Sequence, residues 1–162
     1  MKKALVVIDI QNEYFPGGGF VLENAEEACK GAVEAIGQAK RDGWLVVGVQ
    51  HVNSADAPAF KPDTEGVKTH GHVAAALGDS PMVVKGQADS FFNTDLEKIL
   101  RQAGITDLYL TGMMTQHCIT HTALSPQARE LTIHIIAKGC AAPTIALSGL
   151  ALQGLSARFK VE

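Results

Sequence analysis

The chain alternates short apolar runs, rich in β-branched residues, with longer segments in which apolar residues recur at helical spacing. This alternation is typical of an α/β fold, because each strand of a parallel sheet needs a crossover before the next strand begins. The apolar runs predict five strands and a possible sixth: residues 4–8, 45–49, 82–84, 108–110, 133–136 and 158–161. The pattern therefore indicates a parallel sheet that is covered by helices on both faces.

Four segments between these runs predict helices, over residues 22–41, 94–103, 116–129 and 143–156. Asn93 is the expected N-cap of the second helix, and a glycine follows each of the first two helices as a stop signal. The polar connection from Asn53 to Ser80 is long for a compact domain. Connections longer than about 12–15 residues are typical of lids and binding loops, so we expect this one to shape a site.

Length and charge narrow the possible partners. A chain of 162 residues can bury one substantial core, so residues 1–162 are predicted to form a single domain. The net charge is −3, and no basic run is longer than Lys2-Lys3 or Lys40-Arg41. We therefore expect a small-molecule substrate and no binding to nucleic acid or membranes.

The N-terminus and the cysteines indicate a cytoplasmic protein. Two lysines precede an apolar run as in a secretory signal, but this run ends at Asp9, short of the ~7–15 apolar residues that a signal needs. The cysteines are odd in number and widely spaced at positions 29, 118 and 140. That pattern fits a reducing compartment better than a disulfide framework, and no CxxC motif or Cys/His cluster indicates structural zinc.

Three residues with reactive side chains fall at predicted strand ends. Asp9 follows the first strand, Lys85 follows the third, and Cys118 lies near the start of the helix after the fourth. Since ligands of open α/β sheets bind outside the carboxyl ends of the strands, these side chains are expected to meet there. An acid, an amine and a thiol at one edge predict a nucleophilic site, with Cys118 attacking a carbonyl carbon.

Each of the three also has a structural interpretation. Cys118 at a helix N-terminus is expected to have a lowered pKa, but free cysteines are equally often buried packing residues, as we expect for Cys29 and Cys140. Asp9 can serve as general base and acid, or it can cap the turn that follows it. Lys85 can hold a neighbouring carboxylate ionised, or it can extend to water.

The histidines give weaker signals. His117 and His121 lie four residues apart and share a helix face, but the HExxH pattern of a zinc hydrolase is absent. His117 is expected to point away from its neighbour, Cys118. His51 ends a strand near the predicted site, whereas His70 and His72 are expected to be exposed to solvent.

Three segments, in order, resemble the isochorismatase-like cysteine hydrolases: LVVIDIQNEYF, VVKGQADSFFNTDLEKIL and LYLTGMMTQHCITHTAL. The third is the most specific, since the family pattern is a strand, then TG-x-x-T-x-x-C, then a helix with a Thr-Ala pair. That pattern stands here as Thr111, Gly112, Thr115, Cys118, Thr122 and Ala123. The resemblance implies a three-layer αβα sandwich around a Rossmann-like parallel sheet of five to six strands.

The resemblance also implies a mechanism. The catalytic triad of the family corresponds to Asp9, Lys85 and Cys118. The cis peptide of the family corresponds to the bond between Met113 and Met114. The amides of Met114 and Cys118 are the implied oxyanion hole, and acyl transfer would proceed through a thioester. A homo-oligomer, dimer or tetramer, is expected on the same basis.

Departures from the family pattern refine these expectations. Family members that cleave isochorismate, a vinyl ether, typically lack the cysteine, so its presence favours hydrolysis of a C–N bond in a small amide or carbamoyl compound. Nicotinamidase relatives hold a metal through Asp-x-His, where this chain has His51-Val52-Asn53, so we expect no metal and no cofactor. After the fifth predicted strand, the family often has Asp-Ala-Cys. This chain has Lys138-Gly139-Cys140 there, so the acid of the family pattern is missing.

Two alternatives to the C–N hydrolase stay open at this point. One is a vinyl-ether hydrolase of the isochorismatase type, and the other is a non-catalytic small-molecule-binding domain of the same fold. The residues expected to line the substrate pocket are Gln11, Phe15, His51, Phe60 and Phe91.

Overall fold

The computed structural model describes residues 1–162 and contains one six-stranded sheet in which all neighbouring strands are parallel. Strands β1 to β6 are Lys3–Ile8, Leu45–His51, Met82–Lys85, Asp107–Met113, Thr132–Ala141 and Lys160–Val161. Their order across the sheet is β3-β2-β1-β4-β5-β6. Helices α1 to α5 are Ala25–Arg41, Gly71–Leu77, Leu96–Gln102, Thr120–Ala123 and Ile145–Ser156.

The side chains of β1 show how the sheet is covered on both faces. Leu5 and Val7 pack into the apolar layer that contains α1 and α2. Ala4, Val6 and Ile8 point to the opposite face, into the layer that contains α3, α4 and α5. Such alternation is the period of two that a strand imposes on its side chains. The three-layer αβα sandwich around a parallel sheet is confirmed.

All four predicted helices differ from their expected bounds, and the differences at α3 and α4 have a local cause. Asn93 does not cap α3: it has a positive φ of 52°, Asp95 is the N-cap, and α3 begins at Leu96. The helix predicted over 116–129 is also wrong, because α4 ends at Ala123 and a separate 3₁₀ turn begins at Pro126. A residue before proline is disfavoured in helical conformation, and proline has no N–H to donate, which explains the break.

Strand β5 is longer than predicted, continuing to Ala141 instead of ending at residue 136. The pairing between β4 and β5 shifts register between Leu110 and Gly112, which lets the strand continue beside β4. Gly139 makes the close approach possible, because a Cβ atom at this position would overlap Thr111 Oγ1.

The connection from Asn53 to Ser80 is more ordered than its composition predicts. It contains α2 and an isolated antiparallel bridge between Gln11 and Thr69. The Phe60 N–H donates to Glu13 Oε2 at 3.0 Å, which ties the connection to the segment after β1. None of the five helices combines the length and apolarity that crossing a bilayer requires.

Candidate active site

The carboxyl edge of the sheet brings the three predicted catalytic residues into one buried cluster. Asp9 follows β1 with a φ of 53°, a left-handed conformation that aspartate tolerates better than most residues. Lys85 ends β3, and the side chains of Asp9 and Lys85 are both 0% exposed. Cys118 lies in a single π-helical turn, Thr115–Ile119, directly before α4. Such turns frequently occur at functional sites.

The ammonium group of Lys85 is the centre of this cluster. Lys85 Nζ lies 2.7 Å from Asp9 Oδ2 and 3.3 Å from Cys118 Sγ. It also donates to the Gln87 carbonyl oxygen and to His51 Nδ1, each at 2.9 Å. An ammonium group has three protons, so four acceptors compete for them. The contact with sulfur is the longest of the four.

Burial sets the protonation of Asp9. The pKa of Asp9 is raised above its usual range, because removal from water disfavours the charged form more than the Lys85 charge favours it. Asp9 Oδ1 has no hydrogen-bond partner within the protein. A carboxylate with a raised pKa and a free oxygen is well suited to take up and return a proton.

Burial also governs Cys118. Its pKa is raised to about 12, first by burial and next by the Asp9 charge, and Lys85 offsets these only in part. The pKa lowering predicted from the helix N-terminus is therefore wrong: Cys118 is 3% exposed and faces a carboxylate. At neutral pH the resting residue is a thiol, so resting thiol reactivity does not distinguish an enzyme from a binding domain.

The pH profile of Cys118 alkylation by iodoacetamide, followed by peptide mapping, checks this protonation state. We expect its midpoint to lie well above the ~8.5 of an unperturbed thiol. Asp9→Asn should move the midpoint to lower pH, because the variant removes the nearby negative charge and keeps Lys85. A wild-type midpoint at or below the ~8.5 of an unperturbed thiol would contradict the raised pKa of Cys118.

The strand leading to Cys118 presents a backbone donor. The peptide bond between Met113 and Met114 is cis, as the family resemblance implies. The Met114 N–H donates no hydrogen bond within the protein. Gly112 precedes this bond with a φ of 132°, and a Cβ atom there would overlap the Ile8 carbonyl oxygen. Glycine is therefore required for β4 to pass β1 at this point.

Cys118 opens onto a cavity of about 790 Å³. Asp9 and Lys85 are not among its lining residues, so the ion pair lies behind the sulfur. His51 and Phe60 line the cavity, and aromatic side chains form much of its wall. The full lining is Tyr14, Phe20, His51, Asn53, Pro58, Ala59, Phe60, Gly86, Gln87, Ala88, Asp89, Phe92, Met114, His117, Cys118 and His121.

Three residues expected in the pocket wall do not line this cavity. The Gln11 amide donates to the carbonyl oxygens of His51 and Val67 at 2.8 and 2.7 Å. It therefore connects the end of β2 to the segment before α2. Phe15 packs on the ring of His70 in the α1 layer, with ring centroids 4.2 Å apart. Phe91 is 1% exposed and belongs to the core on the α3 side.

Several cavity residues were missed by sequence reasoning. Phe92 lines the cavity and is 50% exposed, whereas the expected residue next to it, Phe91, does not line it. His117 does not point away from its neighbour, because its Nδ1 lies 3.5 Å from Cys118 Sγ. Gln87 and Asp89 also line the cavity, and the sequence allows them to be predicted, because they closely follow the strand that ends at Lys85.

His51, the last residue of β2, and Asn53 occupy the place where the resemblance implies a metal in nicotinamidases, and here they bind one another. His51 Nε2 lies 2.6 Å from Asn53 Oδ1, and His51 Nδ1 accepts from Lys85. Both ring nitrogens of His51 are therefore engaged within the protein. That no metal binds at this place stays a prediction.

Comparison with known proteins agrees with the fold. The isochorismatase domain family matches residues 3–161. The Bacillus subtilis isochorismatase family protein YddQ is 38% identical over 146 residues, covering 90% of this chain and 81% of that protein. A crystal structure of an isochorismatase hydrolase from Oleispira antarctica has a TM-score of 0.91 at 29% identity, over 99% and 92% of the two chains.

A second structural neighbour has a more specific name. The nicotinamidase PncA from Bacillus subtilis has a TM-score of 0.91 at 25% identity, and the match covers 99% of both chains. The family match spans nearly the whole chain, and it includes the strand ends that carry Asp9, Lys85 and Cys118. The chain therefore belongs to the isochorismatase family.

Proposed function

We propose that this protein is a cysteine-dependent hydrolase that cleaves a C–N bond of a small amide or carbamoyl compound through a thioester. The observation that carries the proposal is the position of Lys85 Nζ, 2.7 Å from Asp9 Oδ2 and 3.3 Å from Cys118 Sγ. One ammonium group thus connects a buried base to a thiol that reaches a cavity. This is the arrangement of nucleophile, base and orienting group that covalent catalysis requires.

In the first half of the reaction, Asp9 removes the thiol proton while Cys118 Sγ adds to the substrate carbonyl carbon. Lys85 stays charged and stabilises the sulfur as it becomes anionic. The negative charge that develops on the carbonyl oxygen needs nearby donors. The unpaired Met114 N–H is one, and the Cys118 N–H is the second donor in our proposal.

The second half returns the site to its starting state. Protonated Asp9 gives its proton to the departing nitrogen, the C–N bond breaks, and the acyl group remains on sulfur. A water molecule then adds to the thioester and gives a proton to Asp9, which passes it to the departing thiolate. One water is consumed, and one acid and one amine or ammonia are released.

The cavity wall supports a small, partly aromatic or planar substrate. Phe20, Phe60 and Phe92 provide apolar faces, while Asn53 and His117 provide hydrogen-bonding groups. Mostly apolar pockets with a few placed polar groups are typical of small-molecule sites. The neighbour PncA is a nicotinamidase, which is consistent with an amide in this cavity.

We place this activity in the cytoplasm and in a homo-oligomer. The three cysteines form no disulfide, which is the usual state in a reducing compartment. Helix α5 leaves Ile145 and Leu150 exposed, at 59% and 67% of their surface. Exposed apolar side chains on one helix support contact with a second copy.

Competition between hydroxylamine and water for the acyl-enzyme tests for the thioester. Two amides that share an acyl group but differ in the leaving amine should yield the same ratio of hydroxamate to acid, because both pass through one acyl-enzyme. Ammonia and amine release would be measured across a panel of small amides and carbamoyl compounds to find such a pair. Ratios that depend on the leaving amine would rule out a common thioester.

A further inference from the structure

We propose that the protein binds a divalent transition-metal ion, zinc by its ligand chemistry, at Cys29, His70 and His72, away from Cys118. One ligand atom of each of these residues lies within 4.8 Å of the other two. Thiolate and imidazole are the ligands that zinc prefers in proteins. Sequence reasoning found no such cluster, because Cys29 and His70 are 41 positions apart.

Two helices bring these residues together. Cys29 lies on α1 and is 3% exposed, and His70 is the N-cap of α2 with His72 in its first turn. The three residues line their own cavity of about 520 Å³. None of its lining residues lines the cavity above Cys118. Cys29 and Cys118 also belong to cores on opposite faces of the sheet.

The distances are close to those of a tetrahedral site. Bonds of about 2.3 Å to sulfur and 2.0–2.1 Å to nitrogen set donor separations of roughly 3.3–3.6 Å. Cys29 Sγ lies 3.5 Å from His70 Nδ1, which already fits. His72 is exposed, so its side chain is free to move the remaining distance of about 1 Å that this geometry requires.

A carboxylate is available as the fourth ligand. Glu26 precedes Cys29 by three positions on α1, which places both on one face of the helix, and it lines the same cavity. One thiolate, one carboxylate and two neutral imidazoles would balance the charge of a divalent ion. On binding, the Cys29 thiol proton passes to solvent and a metal–sulfur bond replaces the S–H bond.

The metal would fasten α2 to α1. Helix α2 follows the segment that supplies Asn53 and Phe60 to the active-site cavity. An ion that binds only the folded arrangement stabilises it, and the effect grows with the logarithm of the free ion concentration above the dissociation constant. The site is therefore inferred to be structural, and it supports the loop that shapes the substrate cavity without taking part in the reaction.

Cobalt(II) binding to the full chain tests this proposal. Cys118→Ala serves as the background, since it removes the thiol that opens onto the other cavity. We expect one equivalent of cobalt to bind with a thiolate-to-metal charge-transfer band, zinc to displace it, and zinc to raise the unfolding temperature. Adding Cys29→Ser should abolish the band, while the matched Cys140→Ser should leave it intact.

Because His72 is exposed, we expect its substitution to leave folding intact. His72→Asn should weaken cobalt binding by more than the ~10–100-fold that loss of a mere outer-shell partner costs. His121→Asn, a histidine of the active-site cavity, should leave the affinity unchanged. A band that survives Cys29→Ser, or an affinity lowered by His121→Asn and not by His72→Asn, would overturn the proposal. These readouts do not depend on the hydrolase activity.

Discussion

Cys118→Ala should lower kcat/KM for the best amide substrate by roughly 10⁴–10⁶-fold, the loss found when the nucleophile of a hydrolytic triad is removed. The physical reason is that Cys118 is the only one of the three cysteines that lines the cavity, so no other thiol can form the thioester there. Asp9 and Lys85 do not line the cavity, and Cys118 Sγ, 3.3 Å from Lys85 Nζ, is the nucleophile that opens onto it. The measurement is amine or ammonia release at saturating and at low substrate.

Controls separate this result from a folding defect and from the two alternatives. Cys140→Ser removes a buried cysteine on the same face of the sheet that lies outside the cavity, and it should retain turnover. Undiminished turnover in Cys118→Ala would remove sulfur from the mechanism. If no substrate in the panel is turned over by the wild type, the binding-domain interpretation gains.

Lys85→Met should both inactivate and destabilise the protein. The variant leaves the fully buried Asp9 carboxylate without its cation. Breaking a buried ion pair from one side costs about 3–5 kcal/mol in the free energy of unfolding. Activity should be lost as well, because Asp9 becomes protonated and cannot act as a base. Urea unfolding at neutral pH, alongside the activity assay, measures both effects.

The destabilisation by Lys85→Met should depend on pH in a defined direction. Without Lys85, the pKa of Asp9 rises further, since burial already raises it in the wild type. When the pKa of a carboxyl group is higher in the folded protein than its unfolded value of about 3.9, the protonated group contributes to the free energy of unfolding at low pH. This contribution is lost as the pH rises through the folded pKa. The difference in stability from wild type should therefore be largest at neutral pH and shrink as the pH falls.

The double variant Asp9→Asn with Lys85→Met is the matched control. It removes both charges, so it should recover most of the lost stability while remaining inactive. If the double variant is no more stable than Lys85→Met, the ion pair is not the source of the destabilisation. If either variant keeps wild-type turnover, the triad assignment is wrong.

The sequence predicts the parts of this structure that follow from periodicity and topology. Strand ends are visible as the ends of apolar runs, and parallel strands bring their carboxyl ends to one edge. Asp9, Lys85 and Cys118 were found this way, and Lys85 contacts the other two. The six-stranded sheet follows from the same alternation.

Other features depend on packing that no local pattern records. Phe91 and Phe92 are adjacent in an irregular segment, so no period of 2 or 3.6 indicates which one faces the cavity. The raised pKa of Cys118 follows from its depth and from Asp9, whereas its position in the sequence indicates only a helix start. The approach of Cys29 to His70 depends on how α2 docks on α1.

The separation of the ion pair from the cavity wall has a consequence for how such a scaffold diversifies. In the proposed reaction, the two charged side chains lie behind the cavity wall and act on the bonds that form and break beside Cys118 Sγ, whereas the wall itself is formed by other residues. We expect selectivity to depend instead on the segments that form this wall, which include those between β1 and α1, around residue 60 and directly after β3. Evolution can therefore exchange the wall for new substrates while the reaction beneath it stays the same, which suits a single fold to many compounds.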